Sequence, residues 1–119
     1  MIVFSASKIA GAILRVINQT GYPVNVTAPH AQPLFIKPRS KPQDINSGFH
    51  KITEIQWNYS IPQERKGFLR TLSWSAKLDI GLASIFDELT LEPNGVAKLN
   101  DKIIKTYLEN DHTIDANFD

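Results

Sequence analysis

Apolar and polar residues alternate along two long segments in the middle of the chain. Residues 53–61 place Thr, Ile, Trp, Tyr and Ile on one side and polar residues on the other. Residues 68–80 do the same with apolar side chains, and only Arg70 interrupts their apolar face. Successive side chains of a strand point to opposite faces, so both segments are predicted to be half-buried strands. Pro and Gly bound the link at residues 62–67, which predicts a hairpin loop.

Shorter segments predict further strands on either side of this hairpin. β-branched residues or short alternations favour strands at residues 13–17, 22–26, 34–36, 89–91 and 96–99, with a turn at Pro93-Asn-Gly95.

Residues 102–108 fit two structures. A helix would have Asn100 or Asp101 as its N-cap. A strand would be buried on both faces and would have this pair as a two-residue turn. The β-branched content favours the strand.

The pattern as a whole predicts an all-β fold. Short strands with turn signals every few residues are typical of an antiparallel β-sandwich or a partly closed barrel. We expect about eight short strands and at most one short helix, a single turn within residues 81–87. Residues 1–108 are predicted to form one sandwich domain, and residues 109–119 a polar, acidic and frayed C-terminal tail. The predicted core comprises Leu14, Val16, Val24, Val26, Ile36, Ile55, Trp57, Tyr59, Leu72, Trp74, Leu78, Leu89 and Leu91.

Composition narrows the classes of protein. The chain has 119 residues, 42% of them hydrophobic, which suffices for one packed domain. The absence of Cys excludes disulfides and thiolate zinc sites, and no cofactor is predicted. No apolar run is long enough to predict a transmembrane helix, and a net charge of +1 argues against nucleic-acid binding. Lys8 interrupts the apolar start, so we expect a cytoplasmic protein or one exported without a cleavable signal peptide.

The small net charge conceals an asymmetry along the chain. Residues 1–43 contain five basic residues and no acidic one, whereas residues 79–119 contain three basic and nine acidic residues. The fold can bring these regions together or present them as surfaces of opposite sign.

The most distinctive local run is Lys37-Pro-Arg39-Ser-Lys41-Pro. In an extended loop, alternate residues share a side, so the three cations are expected to point the same way. Arg65 and Lys66 would enlarge this surface if both loops lie at one end of the sandwich. Such a surface suits phosphate, anionic lipid head groups or an acidic protein face.

Three aromatic residues are candidates for exposed binding positions. Tyr22, Phe35 and Phe49 lie near turns or prolines, where their rings would suit a sugar or a lipid interface.

The sequence lacks the signatures of common catalytic sites. His30, His50 and His112 belong to no recognisable motif, so an enzyme is not predicted. Asp111, His112 and Asp115 lie within a short acidic stretch, but a solvated tail is favoured over a metal site.

These observations favour a non-enzymatic binding module. Its basic Pro-bounded loop would contact an acidic protein surface or an anionic membrane. A first alternative is a small inhibitor, immunity protein or oligomer-forming protein that acts through a sheet edge, so a homo-oligomer is possible. A second alternative is a carbohydrate-binding β-sandwich.

Overall fold

The computed structural model describes residues 11–82 and 86–115, which form two five-stranded sheets. The first sheet has the order β4-β1-β7-β8-β9, and the second has the order β10-β6-β5-β2-β3. Of the described strand pairs, β1 and β7 are parallel and the others are antiparallel. The strands are β1 (Ile13–Asn18), β2 (Val24–Thr27), β3 (Leu34–Ile36), β4 (Gln43–Asn46), β5 (Ile52–Pro62), β6 (Phe68–Ile80), β7 (Asp87–Leu91), β8 (Ala97–Leu99), β9 (Lys102–Ile104) and β10 (Tyr107–Asp115).

The sandwich prediction is confirmed, with ten strands among the described residues instead of eight. The two long alternating segments are the hairpin of β5 and β6, which pair along most of their length. The additional strands are β4 and β10, whose sequences carry too few apolar residues to show a hydrophobic alternation. The helical turn expected within residues 81–87 depends on residues 83–85, and the apolar start, which the sequence predicts to be a first strand or short lead-in, belongs to residues 1–10. Both sets lie outside the described residues.

The core lies between the sheets, where the alternating apolar side chains meet. Every predicted core residue is buried except Trp74 and Leu78, which are half-buried and pack against the core. Trp57 and Trp74 are partners in the β5–β6 register, so their indole rings lie side by side on the inner face. The core also contains residues that the prediction omitted, namely Ala12, Ile45, Ile52, Ala76, Ile80 and Ala97.

One glycine allows the sheets to approach closely at Trp74. A 3₁₀ turn at Pro93–Gly95 joins β7 to β8 and places Gly95 against the indole ring. A Cβ at this position would lie 2.3 Å from Cζ3 of Trp74. Gly95 also has a φ of +77, which L side chains rarely adopt. Both constraints require glycine here.

A buried polar network joins the sheets at one end. The side-chain amide nitrogen of Asn18 donates hydrogen bonds to the carbonyl oxygens of Tyr22 (2.7 Å) and Ile36 (2.8 Å). Its Oδ1 accepts hydrogen bonds from the backbone nitrogen (2.9 Å) and the hydroxyl (2.7 Å) of Thr20. The amide therefore uses both of its donors and its acceptor oxygen, as a buried polar group requires.

Strand structure within residues 102–108 is confirmed, but the expected burial on both faces is wrong, because Ile103 is 72% exposed. These residues contain β9 and the start of β10, and Asn100 and Asp101 form the turn between β8 and β9. Their φ values of 51 and 67 suit a two-residue hairpin turn, in which Asn and Asp tolerate the left-handed region.

The expectation that the chain frays from residue 109 is wrong for residues 109–115. These residues belong to β10, which pairs with β6 along the edge of the second sheet. The Arg70 guanidinium donates two hydrogen bonds to the Asp111 carboxylate, at 2.9 and 2.7 Å. Backbone pairing and this bidentate contact hold a polar strand that contributes little to the core.

We predict that Gly95→Ala destabilises the protein more than Gly21→Ala. Both glycines have positive φ, but a Cβ at position 21 meets no atom within 4 Å. Both variants should lose roughly 1–2 kcal/mol from backbone strain. Overpacking against Trp74 should add roughly 1–3 kcal/mol for Gly95→Ala alone. Urea unfolding measures the difference. The difference in unfolding free energy between the two variants should shrink when Trp74 is replaced by Leu. Equal losses in the two single variants would contradict the packing role of Gly95.

Asp111→Asn should alter stability in a pH-dependent manner. The hydrogen bonds from Arg70 hold the pKa of Asp111 below its usual range, so the ion pair stabilises the fold above the unfolded-state pKa of about 4. This contribution is lost as pH falls through the lowered folded-state pKa. The gap in unfolding free energy between the parent protein and the variant should therefore be present at pH 7 and close in acid. Glu64→Gln is the control, and a gap that persists unchanged in acid would contradict this assignment.

Candidate functional site

Strand pairing places several loops at the same end of the sandwich, hereafter the basic end. Asn18, at the end of β1, contacts the carbonyl of Ile36 at the end of β3. β4 begins beside Val16 of β1, so the β3–β4 connection crosses between the sheets at this end. β5 runs past β2 toward the same end and continues into the β5–β6 loop. The topology therefore assigns both predicted basic loops to one end.

The loop that carries Lys37, Arg39 and Lys41, hereafter the basic turn, differs from its predicted conformation. It was expected to be extended, but residues 37–40 form a turn. The backbone nitrogen and the hydroxyl of Ser40 donate hydrogen bonds to the Lys37 carbonyl, at 3.3 and 2.7 Å. The extended conformation expected for this loop is therefore wrong, although all three side chains are exposed.

Arg39 occupies an unfavourable backbone conformation. Its φ is +60, in the left-handed region. The other non-glycine residues with positive φ in the described segments are Asn, Asp and His, the types that tolerate this region best. Pro38 precedes Arg39 in the turn, and Gly is preferred at the position that Arg39 occupies. Such strain is concentrated at functional positions, which makes Arg39 a candidate binding residue.

A cleft of ≈ 450 Å³ lies between the basic turn and the β1–β2 connection. Asn18 holds both sides of the cleft in place. Its side-chain amide donates hydrogen bonds to the carbonyl of Tyr22 on the β1–β2 connection and to the carbonyl of Ile36, next to the basic turn. The cleft is therefore built on rigid backbone with an arginine at its rim. Its lining residues are Ile17, Asn18, Gln19, Gly21, Pro38, Arg39 and Ser40.

Arg65 and Lys66 form a second basic patch on the β5–β6 loop. β2 separates β5 from β3, which places the two loops roughly 10 Å apart across the sheet. β5 also continues past its last β2 partner, Asn58, to Pro62, which carries the loop roughly 13 Å further along the strand. The Arg65 guanidinium lies 4.7 Å from the centre of the Phe68 ring. The two predicted groups share an end but not a single surface.

The cations of the basic turn and of the β5–β6 loop form no ion pair with another residue of the described segments. Within residues 11–82 and 86–115, the ion pairs involve Arg15, Lys51, Arg70 and Lys98. None of the cations in the basic turn or the β5–β6 loop takes part in them. These side chains therefore remain available to an external anion.

The predicted aromatic residues do not lie together. Tyr22 is half-buried and stacks on Tyr59, with ring centres 5.8 Å apart. Phe35 is 52% exposed and lies on the outer side of β3. Phe49 is 74% exposed but lies at the opposite end, in the β4–β5 connection. Leu82 and Phe86, which the sequence analysis did not select, are also exposed at that end.

The titratable residues considered for chemistry are also separated. His30 and His50 stack with ring centres 3.7 Å apart, on two loops remote from the basic turn. Asp111 and His112 are consecutive in β10 and so point to opposite faces, with Asp111 bound by Arg70. No group of three His, Asp or Glu side chains in the described part is placed to hold a metal. No described helix has the length and hydrophobicity that crossing a bilayer requires.

We predict that Arg39→Gly preserves or raises stability, because glycine removes the left-handed strain of roughly 1–2 kcal/mol. Greater freedom of the unfolded chain offsets about 0.5–1 kcal/mol of this gain. Lys41→Gly carries that entropic cost without relief of positive-φ strain, so it should lower stability. Denaturant unfolding of both variants measures the contrast. A larger loss for Arg39→Gly would show that the arginine side chain stabilises the turn.

Comparison with known proteins adds no assignment. No protein-family model matches the sequence, and no curated protein or solved structure is significantly similar to it. The function is therefore inferred from the geometry of the chain itself.

Proposed function

We propose that this protein is a non-enzymatic binding module whose basic turn docks on an acidic protein surface. The main support is the combination of three exposed cations in one short, hydrogen-bonded turn with no ion pair to any described residue. Cations fixed on a rigid turn lose less side-chain and backbone freedom on binding than cations on a mobile loop. The strained Arg39, at the rim of a cleft, adds a directional contact for a carboxylate.

An acidic protein is favoured over an anionic membrane by the position of the apolar side chains. Stable membrane attachment usually combines charge with apolar insertion. At the basic end Tyr22 is engaged with Tyr59, and it is the opposite end that exposes Phe49 and Phe86. The exposed large apolar side chain nearest the basic turn is Phe35, which lies on the outer side of β3 and not on the turn itself. The turn therefore presents mainly charge, which suits electrostatic protein recognition.

A second candidate function is association through a sheet edge, which β10 favours. This strand is nine residues long, exposed throughout and forms one edge of the second sheet. It contains no Pro or Lys, the residues that commonly protect edges, although a bulge lies between Leu108 and Asn110. A second copy or an extended segment of a partner would pair with it through backbone hydrogen bonds.

The salt dependence of binding tests the proposal. Poly-L-glutamate serves as an acidic polypeptide, and phosphatidylserine vesicles as an anionic membrane. Each exposed ion pair contributes about 0.2–1 kcal/mol, so Lys37→Ser, Arg39→Ser and Lys41→Ser together should weaken polyglutamate binding by about threefold to a hundredfold at low salt. Physiological salt should weaken it too, because the Debye length shrinks to about 8 Å. Titration calorimetry and vesicle co-sedimentation provide the measurements.

A charge-matched control separates the basic turn from net charge. Lys77→Ser, Lys102→Ser and Lys105→Ser remove three cations from other strands or their connections and should preserve polyglutamate binding. Equal losses in the two triple variants would contradict the proposal. Binding to vesicles but not to polyglutamate would transfer the role to the membrane. Salt-independent self-association, abolished by Thr113→Pro in β10, would favour the edge-pairing candidate instead.

A further inference from the structure

The outer face of the second sheet carries a row of polar, uncharged side chains. Strand pairing aligns Phe35 of β3, Asn25 of β2, Asn58 of β5, Ser73 of β6 and Asn110 of β10 across all five strands. This row follows from register and could not be read from any single strand. An exposed aromatic ring lies at one end, and amides and hydroxyls occupy the remaining positions.

The neighbouring rows continue this chemistry. On the outer face, Gln56 pairs with Ser75, and Ser60 pairs with Thr71. Solvent-facing sheet surfaces normally mix charges of both signs, and 21% of this chain is charged. Glu54, Lys77 and Glu109 lie to one side of this row, where the Glu109 carboxylate accepts a hydrogen bond from the Ser75 hydroxyl at 2.7 Å. The centre of the face is therefore polar without being charged, which distinguishes it from the basic end.

A cleft of ≈ 310 Å³ lies on this face beside the Phe35 ring. Phe35 is 52% exposed, so much of its ring surface is accessible to a ligand. Pro23 contributes further apolar surface, and polar groups come from two neighbouring strands. The Tyr59 side chain is buried in the core and offers a ligand almost no surface. The full lining consists of Pro23, Asn25, Phe35, Asn58, Tyr59 and Ser60.

The two asparagines orient each other and leave hydrogen-bonding groups for a ligand. Nδ2 of Asn25 donates to Oδ1 of Asn58 at 3.3 Å. An asparagine amide has two N–H donors and one acceptor oxygen, so the pair still offers the Asn58 donors and the Asn25 acceptor. The Ser60 hydroxyl lies 2.9 Å from the Thr71 hydroxyl, which fixes a further polar group at the side of the cleft.

We propose that this cleft binds one ring of a neutral oligosaccharide. A pyranose has an apolar C–H face, which would lie on the Phe35 ring, and hydroxyls that both donate and accept hydrogen bonds. Asn25 would accept from one hydroxyl and Asn58 would donate to its neighbour. The described residues that line the cleft include no cation for a phosphate and no carboxylate for an amine, so a neutral ligand is the chemical match.

Binding of neutral tetrasaccharides tests this inference. Cellotetraose, maltotetraose, mannotetraose and chitotetraose would each be titrated to about 10 mM into ¹⁵N-labelled full-length protein. At least one should shift the side-chain amide signals of Asn25 and Asn58. Phe35→Ala and Asn58→Ala should each weaken its binding about tenfold. Phe49→Ala is the matched control, since it removes an exposed Phe at the opposite end, and should leave affinity unchanged.

The site is rejected if none of the four sugars shifts these amide signals, or if the shifts map to another surface. Equal losses for Phe35→Ala and Phe49→Ala would also reject it. Thermal melting identifies any variant that fails to fold, and Asn25→Ala then replaces it. Sugar binding should persist in high salt and in the triple variant of the basic turn. Failure of the sugar-binding proposal can therefore be distinguished from failure of the proposed electrostatic function.

Discussion

The buried side-chain amide of Asn18 is the contact on which the geometry of the basic end depends. It lies at the end of a strand of the first sheet and bonds to the Ile36 carbonyl of the second, so it fixes how the sheets meet there. Loss of such a buried partner leaves unpaired polar groups that cost roughly 1–3 kcal/mol each. The basic turn begins directly after Ile36, and its position is therefore set from inside the protein rather than by its own exposed side chains.

Hydrophobic alternation was sufficient to predict the strands that bury several apolar side chains, but not β4, which buries Ile45 alone. β5 and β6 show it over long segments, and the Asn100-Asp101 pair identified the β8–β9 turn. β10 could not be found in this way, because its stability comes from backbone pairing and the contact between Arg70 and Asp111. The parallel pairing of β1 with β7 also leaves no local signal, since it depends on strands that are distant in sequence.

The candidate sites also depend on contacts between distant strands, which leave no local signal in the sequence. The cations of the basic turn were selected from the sequence, but their arrangement was not. No Gly or Asn identified the turn, and Arg39 takes the position that those residues usually fill. The cleft on the outer face was even harder to predict from the sequence, because Phe35, Asn25 and Asn58 belong to three strands. Their alignment depends on register, and a shift of one residue would turn each of them toward the core.

The parallel β1–β7 pair also sets the order in which the chain can assemble. The β5–β6 hairpin joins neighbours in sequence, so it can form early from local contacts. β1 pairs with β4 on one side but must wait for β7 on the other, which is synthesised much later. During translation one side of β1, next to Leu14 and Val16, therefore remains unpaired until β7 has been synthesised. Until β7 is available to pair there, this unpaired edge and the apolar side chains beside it favour aggregation.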